Sequence, residues 1–138
     1  MNATRILIAD DHPVFRDGIR KLLEEQAGLQ VIGQADDGEE AVRLARELVP
    51  DIVIMDIVMP KLNGIEATTQ IKASLPGTAV LLLSGYDYES SVLAALRAGA
   101  AGFLSKGTRS KELLDAIEAI RKGEPRQISG KQEYYYHY

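Results

Sequence analysis

Five short runs of consecutive apolar residues, each closed by polar residues and followed by a stretch with helical spacing, constrain this chain more than any other feature. The runs lie at residues 5–9, 31–32, 52–55, 79–83 and 102–104. Strands that are apolar on both faces can show neither face to water, so they need helices on each side, and strict strand–helix alternation supplies them. The expectation is an α/β fold, a doubly wound five-stranded parallel sheet in the order 2-1-3-4-5. The run 52–55 leads straight into Asp56, with Pro60 shortly after, and reads as a buried strand carrying one carboxylate to the rim of the sheet.

Local signals place the helices. Pro13 suits a first helical turn, Phe15, Ile19, Leu22 and Leu23 follow at helical spacing to about residue 26, and Gly28 ends that helix. Asp37 and Glu40 have the spacing of a capping box for a helix to about residue 48. A third helix is expected over 65–74, stopped by Pro76 and Gly77, and a weakly amphipathic fourth over 89–98. Ser110 is expected to cap a fifth helix carrying Leu113, Leu114, Ile117 and Ile120, closed by Gly123. The division is one domain over 1–123 and a tail over 124–138, a disordered or truncated linker in which four of the last five residues are tyrosine.

Composition removes several classes of function. At 138 residues and 46% hydrophobic the chain can bury one full core, and no apolar stretch reaches the length of a membrane span. With no cysteine there are no disulfides and no thiolate metal sites, which fits a cytoplasmic protein. A net charge of -4 argues against this segment gripping nucleic acid itself, since that affinity comes from Lys and Arg neutralising phosphates.

In an open parallel sheet the ligand site lies beyond the carboxyl ends of the strands, where strand order reverses. The first strand ends in Asp10 and Asp11, the third in Asp56, the fourth in Ser84 and the fifth in Lys106. Three converging carboxylates repel one another unless a cation neutralises them, and a hard oxygen set favours Mg²⁺. A lysine and a small hydroxyl are what phosphoryl oxygens need. The set amounts to a site for making and breaking an aspartyl phosphate, with Asp56 as nucleophile. Taken singly, Asp10 and Asp11 could be helix caps and Lys106 a solvated charge; their joint occurrence at strand ends favours the functional reading. His12 is assigned a structural or hydrogen-bonding role. Phe103 reads as half-buried packing or as a movable switch ring.

These residues, with Met59, Pro60 and Gly64 after Asp56, resemble the receiver domain of two-component response regulators. The stretches 9–16, 84–86, 98–104 and 112–114 resemble its NarL/FixJ (LuxR-type) subclass. The resemblance covers 4 to about 123 and implies a flavodoxin-like, CheY-like fold. It implies that Asp56 accepts a phosphoryl group from a sensor histidine kinase, with Mg²⁺ held by Asp10, Asp11, Asp56 and the backbone carbonyl of Val58. Ser84 and Lys106 would then bond the phosphoryl oxygens, Phe103 would turn inward, and phosphorylation could drive homodimer formation. The chain would catalyse nothing beyond its own phosphorylation and dephosphorylation. DNA would be reached through a helix-turn-helix domain absent from this chain. Gly107 stands where many receivers have proline after the active lysine, and Phe103 where tyrosine is common. Apolar Val58 cannot orient an attacking water, and Tyr86 shields Asp56, so a long-lived phosphoryl group is expected.

The rivals fare worse. A phosphatase of the haloacid dehalogenase type needs Asp-x-Asp after the first strand, and a flavin mononucleotide carrier needs a Ser/Thr/Gly phosphate loop there. A receiver-shaped module that is never phosphorylated would have no need of the intact acid set.

Overall fold

A computed structural model of the chain describes residues 3–85, 88–123 and 127–128. Five strands, β1 (Thr4–Ala9), β2 (Leu29–Ala35), β3 (Ile52–Asp56), β4 (Ala79–Ser84) and β5 (Gly102–Ser105), alternate with five helices. The helices are α1 (Pro13–Glu24), α2 (Gly38–Leu48), α3 (Gly64–Ser74), α4 (Tyr88–Arg97) and α5 (Ser110–Arg121). The strands pair in parallel in the order 2-1-3-4-5, as their apolar runs require. A two-residue β6 (Gln127–Ile128) extends the sheet alongside Gly102 and Phe103. The sequence offered no signal for it, because two residues carry no periodicity. The rest of the tail, and Tyr86, lie outside the described residues.

The period-two alternation of side chains divides the interior into two layers. Leu7, Val53, Met55, Val80, Leu82 and Phe103 point to the side covered by α2, α3 and α4, where alanines let the helices approach closely. Ile6, Ile8, Ile52, Ile54, Leu81 and Leu104 point to the opposite layer, closed by α1 and α5 through Ile19, Leu23, Leu113 and Ile117. β3 is buried along its whole length, Asp56 at its carboxyl end included.

Among the described residues, the starts of α1, α2 and α3 follow turn and cap chemistry and that of α5 departs from it. Asp37 caps α2 by accepting from Glu40 N at 2.8 Å, while Glu40 Oε1 reaches back to Asp36 N at 2.7 Å. Asn63 caps α3 by accepting from Glu66 N at 2.9 Å. At α5 the cap residue is Arg109, and no side chain caps the helix. Ser110 is instead the first helical residue, because the backbone is still extended at Arg109. Among the described residues no helix is long and apolar enough to cross a membrane.

Candidate functional site

The parallel register aligns the carboxyl ends of β1, β3, β4 and β5, and with them the polar residues that follow each apolar run. Asp56 pairs with Leu83 across β3 and β4, Ser84 pairs with Ser105 across β4 and β5, and Lys106 N donates to Ser84 O at 2.8 Å. Asp10, Asp56 and Ser84 are all buried, at 2%, 3% and 5% exposure. Burying two carboxylates this deeply is tolerated only beside a compensating cation.

Lys106 is that cation. Its Nζ lies 2.9 Å from Asp10 Oδ2 and 3.1 Å from Asp56 Oδ2, so one ammonium bridges the ends of β1 and β3. The same ammonium sits 4.6 Å from the centre of the Phe15 ring and 3.3 Å from His12 Nδ1. His12 also anchors Asp10, through its backbone N–H at 2.8 Å and its ring Nδ1 at 3.0 Å, in keeping with the hydrogen-bonding role expected of it. Phe15 read from sequence only as a core-facing helical residue; its ring packs against the α1/α5 layer while its face meets Lys106. Only the fold could show that second contact.

One ammonium does not balance three carboxylates. Asp11 lies at the same rim, and its Oδ1 is a buried atom with no hydrogen-bond partner, although it approaches His12 Nδ1 to 3.3 Å. That approach lacks hydrogen-bond geometry and becomes an ion pair only when the imidazole is charged. Burial pushes the Asp56 carboxyl above its usual range; Lys106 pulls it back, Asp10 adds repulsion, and the net direction is upward. For Lys106 burial acts downward, but the hydrogen bonds and charges of Asp10 and Asp56 outweigh it and hold the ammonium above its usual value. Both groups keep their protons more firmly than usual, as expected where negative charge is in excess.

Oxygen ligands from Asp10, Asp11 and Asp56 come within 4.8 Å of one another, together with a nitrogen of His12. An orphaned buried carboxylate oxygen among hard oxygen donors is the chemistry of a divalent cation such as Mg²⁺, so these residues fit one. Val58 is 53% exposed at the mouth of the site, and its N–H approaches Asp56 Oδ1 at 3.4 Å. Phe103, expected to be half-buried or to turn inward, is fully buried in the layer under α4. Among the described residues no peptide bond is cis, Lys106–Gly107 included.

Residues 6–118 match the family model of the response regulator receiver domain. The chain belongs to that family. It is 42% identical over 130 residues to the transcriptional regulatory protein LiaR of Bacillus subtilis, covering 92% of this chain and 62% of that protein. It is 42% identical over 120 residues to the uncharacterized transcriptional regulatory protein YxjL of the same organism, covering 87% of this chain and 55% of the relative. The chain thus spans little more than half the length of these relatives. Among solved structures it superimposes on a LuxR-family response regulator from an Aurantimonas species with a TM-score of 0.87 at 41% identity, covering 93% and 91% of the two chains. The signal receiver domain of the NarL regulator of Mycobacterium tuberculosis gives 0.85 at 36% identity, covering 90% of this receiver and all of that chain. The subclass resemblance read from the sequence agrees with these relatives.

Proposed function

We propose that this receiver takes a phosphoryl group onto Asp56 from a phosphohistidine of a sensor kinase and passes the change to an effector. The observation that carries the reading is the Lys106 ammonium bridging buried Asp10 and Asp56 beside the orphaned oxygen of Asp11. A carboxylate oxygen of Asp56 attacks phosphorus, the new P–O bond forms as the donor's P–N bond breaks, and the electron pair leaves with the imidazole. Lys106 shifts its hydrogen bonds to the incoming phosphoryl oxygens, and Ser84 donates to them from the end of β4. Asp10, Asp11, Asp56 and the Val58 carbonyl would hold Mg²⁺, which supplies charge neutralisation for the crowded oxygens.

Because Phe103 is part of the α4-side core, a change at Ser84 and Lys106 is felt through β4 and β5 at the α4–β5 face. The effector proposed is a helix-turn-helix DNA-binding domain outside this chain. Support comes from relatives described as transcriptional regulators and from a solved structure of RcsB dimers bound to DNA, 28% identical to this chain. Phosphorylation would favour a homodimer, the setting cytoplasmic, and the activity confined to the receiver's own phosphoryl group. Val58 and Tyr86 would slow hydrolysis of the aspartyl phosphate; Val58→Asn with Tyr86→Ala should shorten its lifetime.

The reading is tested by incubating the chain with a small acyl phosphate, with and without Mg²⁺, and weighing the intact protein. One phosphoryl group gained only with Mg²⁺, and removed by hydroxylamine, is expected. No gain would overturn the proposal.

A further inference from the structure

β2 stands at the edge of the sheet and contributes none of the acids, yet the turn leaving it, residues 35–38, touches both loops that do. On one side is Arg16, an α1 residue whose side chain is only 15% exposed. Its Nη1 donates to Asp10 O at 2.7 Å and to Ala35 O at 3.3 Å and pairs with the Asp36 carboxylate, while its Nε donates to Gln34 Oε1 at 3.0 Å. Asp10 N donates to Ala35 O at 3.0 Å. The backbone of Asp10 is therefore fixed at both its N–H and its carbonyl to the end of β2, which limits where its carboxylate and that of Asp11 can point.

On the other side is Gly38, the first residue of α2. Its N–H points at Pro60 O, 3.4 Å away, and a Cβ added there would stand 1.8 Å from Leu62 O. Only glycine permits that approach. The Asp37 carboxylate lies 3.6 Å from the Lys61 ammonium. Residues 60–62 belong to the loop that leaves Asp56 and Val58, and that loop is itself folded tightly, since a Cβ on Gly64 would meet Asp56 O at 2.2 Å.

We infer that the 35–38 turn is a tie bar, fastened by Arg16 to the Asp10–Asp11 loop and by Gly38 to the Asp56–Val58 loop, and that it sets the spacing of the two halves of the cation site. Arg16 and Gly38 are positioning residues, and the inference rests on the proposed reading that these acids hold a divalent cation. Replacing a residue that orients metal ligands through hydrogen bonds alters metal affinity by roughly 10–100-fold. A residue serving only the fold would change stability and leave the affinity of the folded protein alone. For Gly38 the sign is informative, because alanine in a helix without a tight contact is neutral or stabilising.

The test is Mg²⁺ titration of the whole, unphosphorylated chain by calorimetry, for the parent, Arg16→Gln, Gly38→Ala and the double variant, with folding checked by urea melts in a chelator. Lys111→Gln is the control, its exposed ammonium pairing with Asp115 along α5. Each single variant should raise the Mg²⁺ dissociation constant roughly tenfold with the control unchanged. The double variant should fall short of the product of the two, because both act through one bar. A folded Arg16→Gln chain that binds Mg²⁺ like the parent, or a double variant equal to the product, overturns the tie bar alone. A parent that binds no Mg²⁺ overturns the underlying reading as well.

Discussion

At the amino ends of the strands, Thr78 Oγ1 donates to Pro50 O at 2.8 Å, Asp51 Oδ2 accepts from Arg5 N at 2.8 Å, and Lys72 Nζ donates to the carbonyls of Pro76 and Thr78 at 2.7 and 2.8 Å. At the carboxyl ends of the same sheet, one ammonium bridges two of three carboxylates, and a buried oxygen of the third has no hydrogen bond. The first pole matches donors to acceptors and strengthens the fold. The second leaves an excess of negative charge that the fold does not neutralise, which a divalent cation would offset. Removing a donor should therefore weaken the fold at either pole, whereas removing a carboxylate at the second should strengthen it.

The largest effect is expected from Lys106→Met. Removing the ammonium leaves Asp10 and Asp56 buried and facing each other, which should cost about 3 kcal/mol in urea melts at pH 7 with chelator present. A cost below about 1 kcal/mol would break the comparison. Thr78→Val at the opposite pole orphans the Pro50 carbonyl beside a residue only 2% exposed, and should cost about 1–2 kcal/mol without changing phosphoryl uptake.

Asp56→Asn should move the other way. Burial first, then the charge of Asp10, holds the Asp56 carboxyl above its ordinary value. A folded-state pKa above the unfolded one gives a contribution to stability that is full below the usual carboxylate value of about 3.9 and is lost as pH rises through the raised one. Asn cannot ionise, so the variant should exceed the parent in stability at pH 7, and the gap should close toward about pH 4. A gap that widens on acidification would reverse the assignment. The smallest effect is Val49→Gly. Val49 follows α2 in the left-handed region at φ 48, a conformation that a β-branched residue adopts only under strain. Glycine should add about 0.5–1 kcal/mol in the same melts.

The strands and the acids were legible in the sequence for the same reason. β1, β3, β4 and β5 are each built on an unbroken apolar run, so the polar residues that end the run are also those at the rim, and Asp10, Asp56, Ser84 and Lys106 could be placed without three-dimensional information. What could not be read depends on how separate elements meet. No sequence signal assigned Arg16 a role of its own, and only the seating of β2 beside β1 brings the carbonyls of Asp10 and Ala35 to it. Gly38 reads as a helix start, and its close approach to Leu62 exists only once the loop after Asp56 has folded back. Ser110 failed as a cap because local propensity yielded to the extended backbone at Arg109, one residue earlier. Phe103 read as half-buried packing or as a movable switch ring, and its complete burial was not legible, since a four-residue strand gives no hint that α4 closes over it.

The most direct test of the account is to trap the phosphorylated chain with borohydride, which reduces an aspartyl phosphate to homoserine, and to locate the change by peptide mass mapping. Homoserine at position 56, with Asp10 and Asp11 intact and no conversion in Asp56→Asn, is the result the account predicts. Homoserine at 10 or 11, or an unchanged yield in Asp56→Asn, would contradict it.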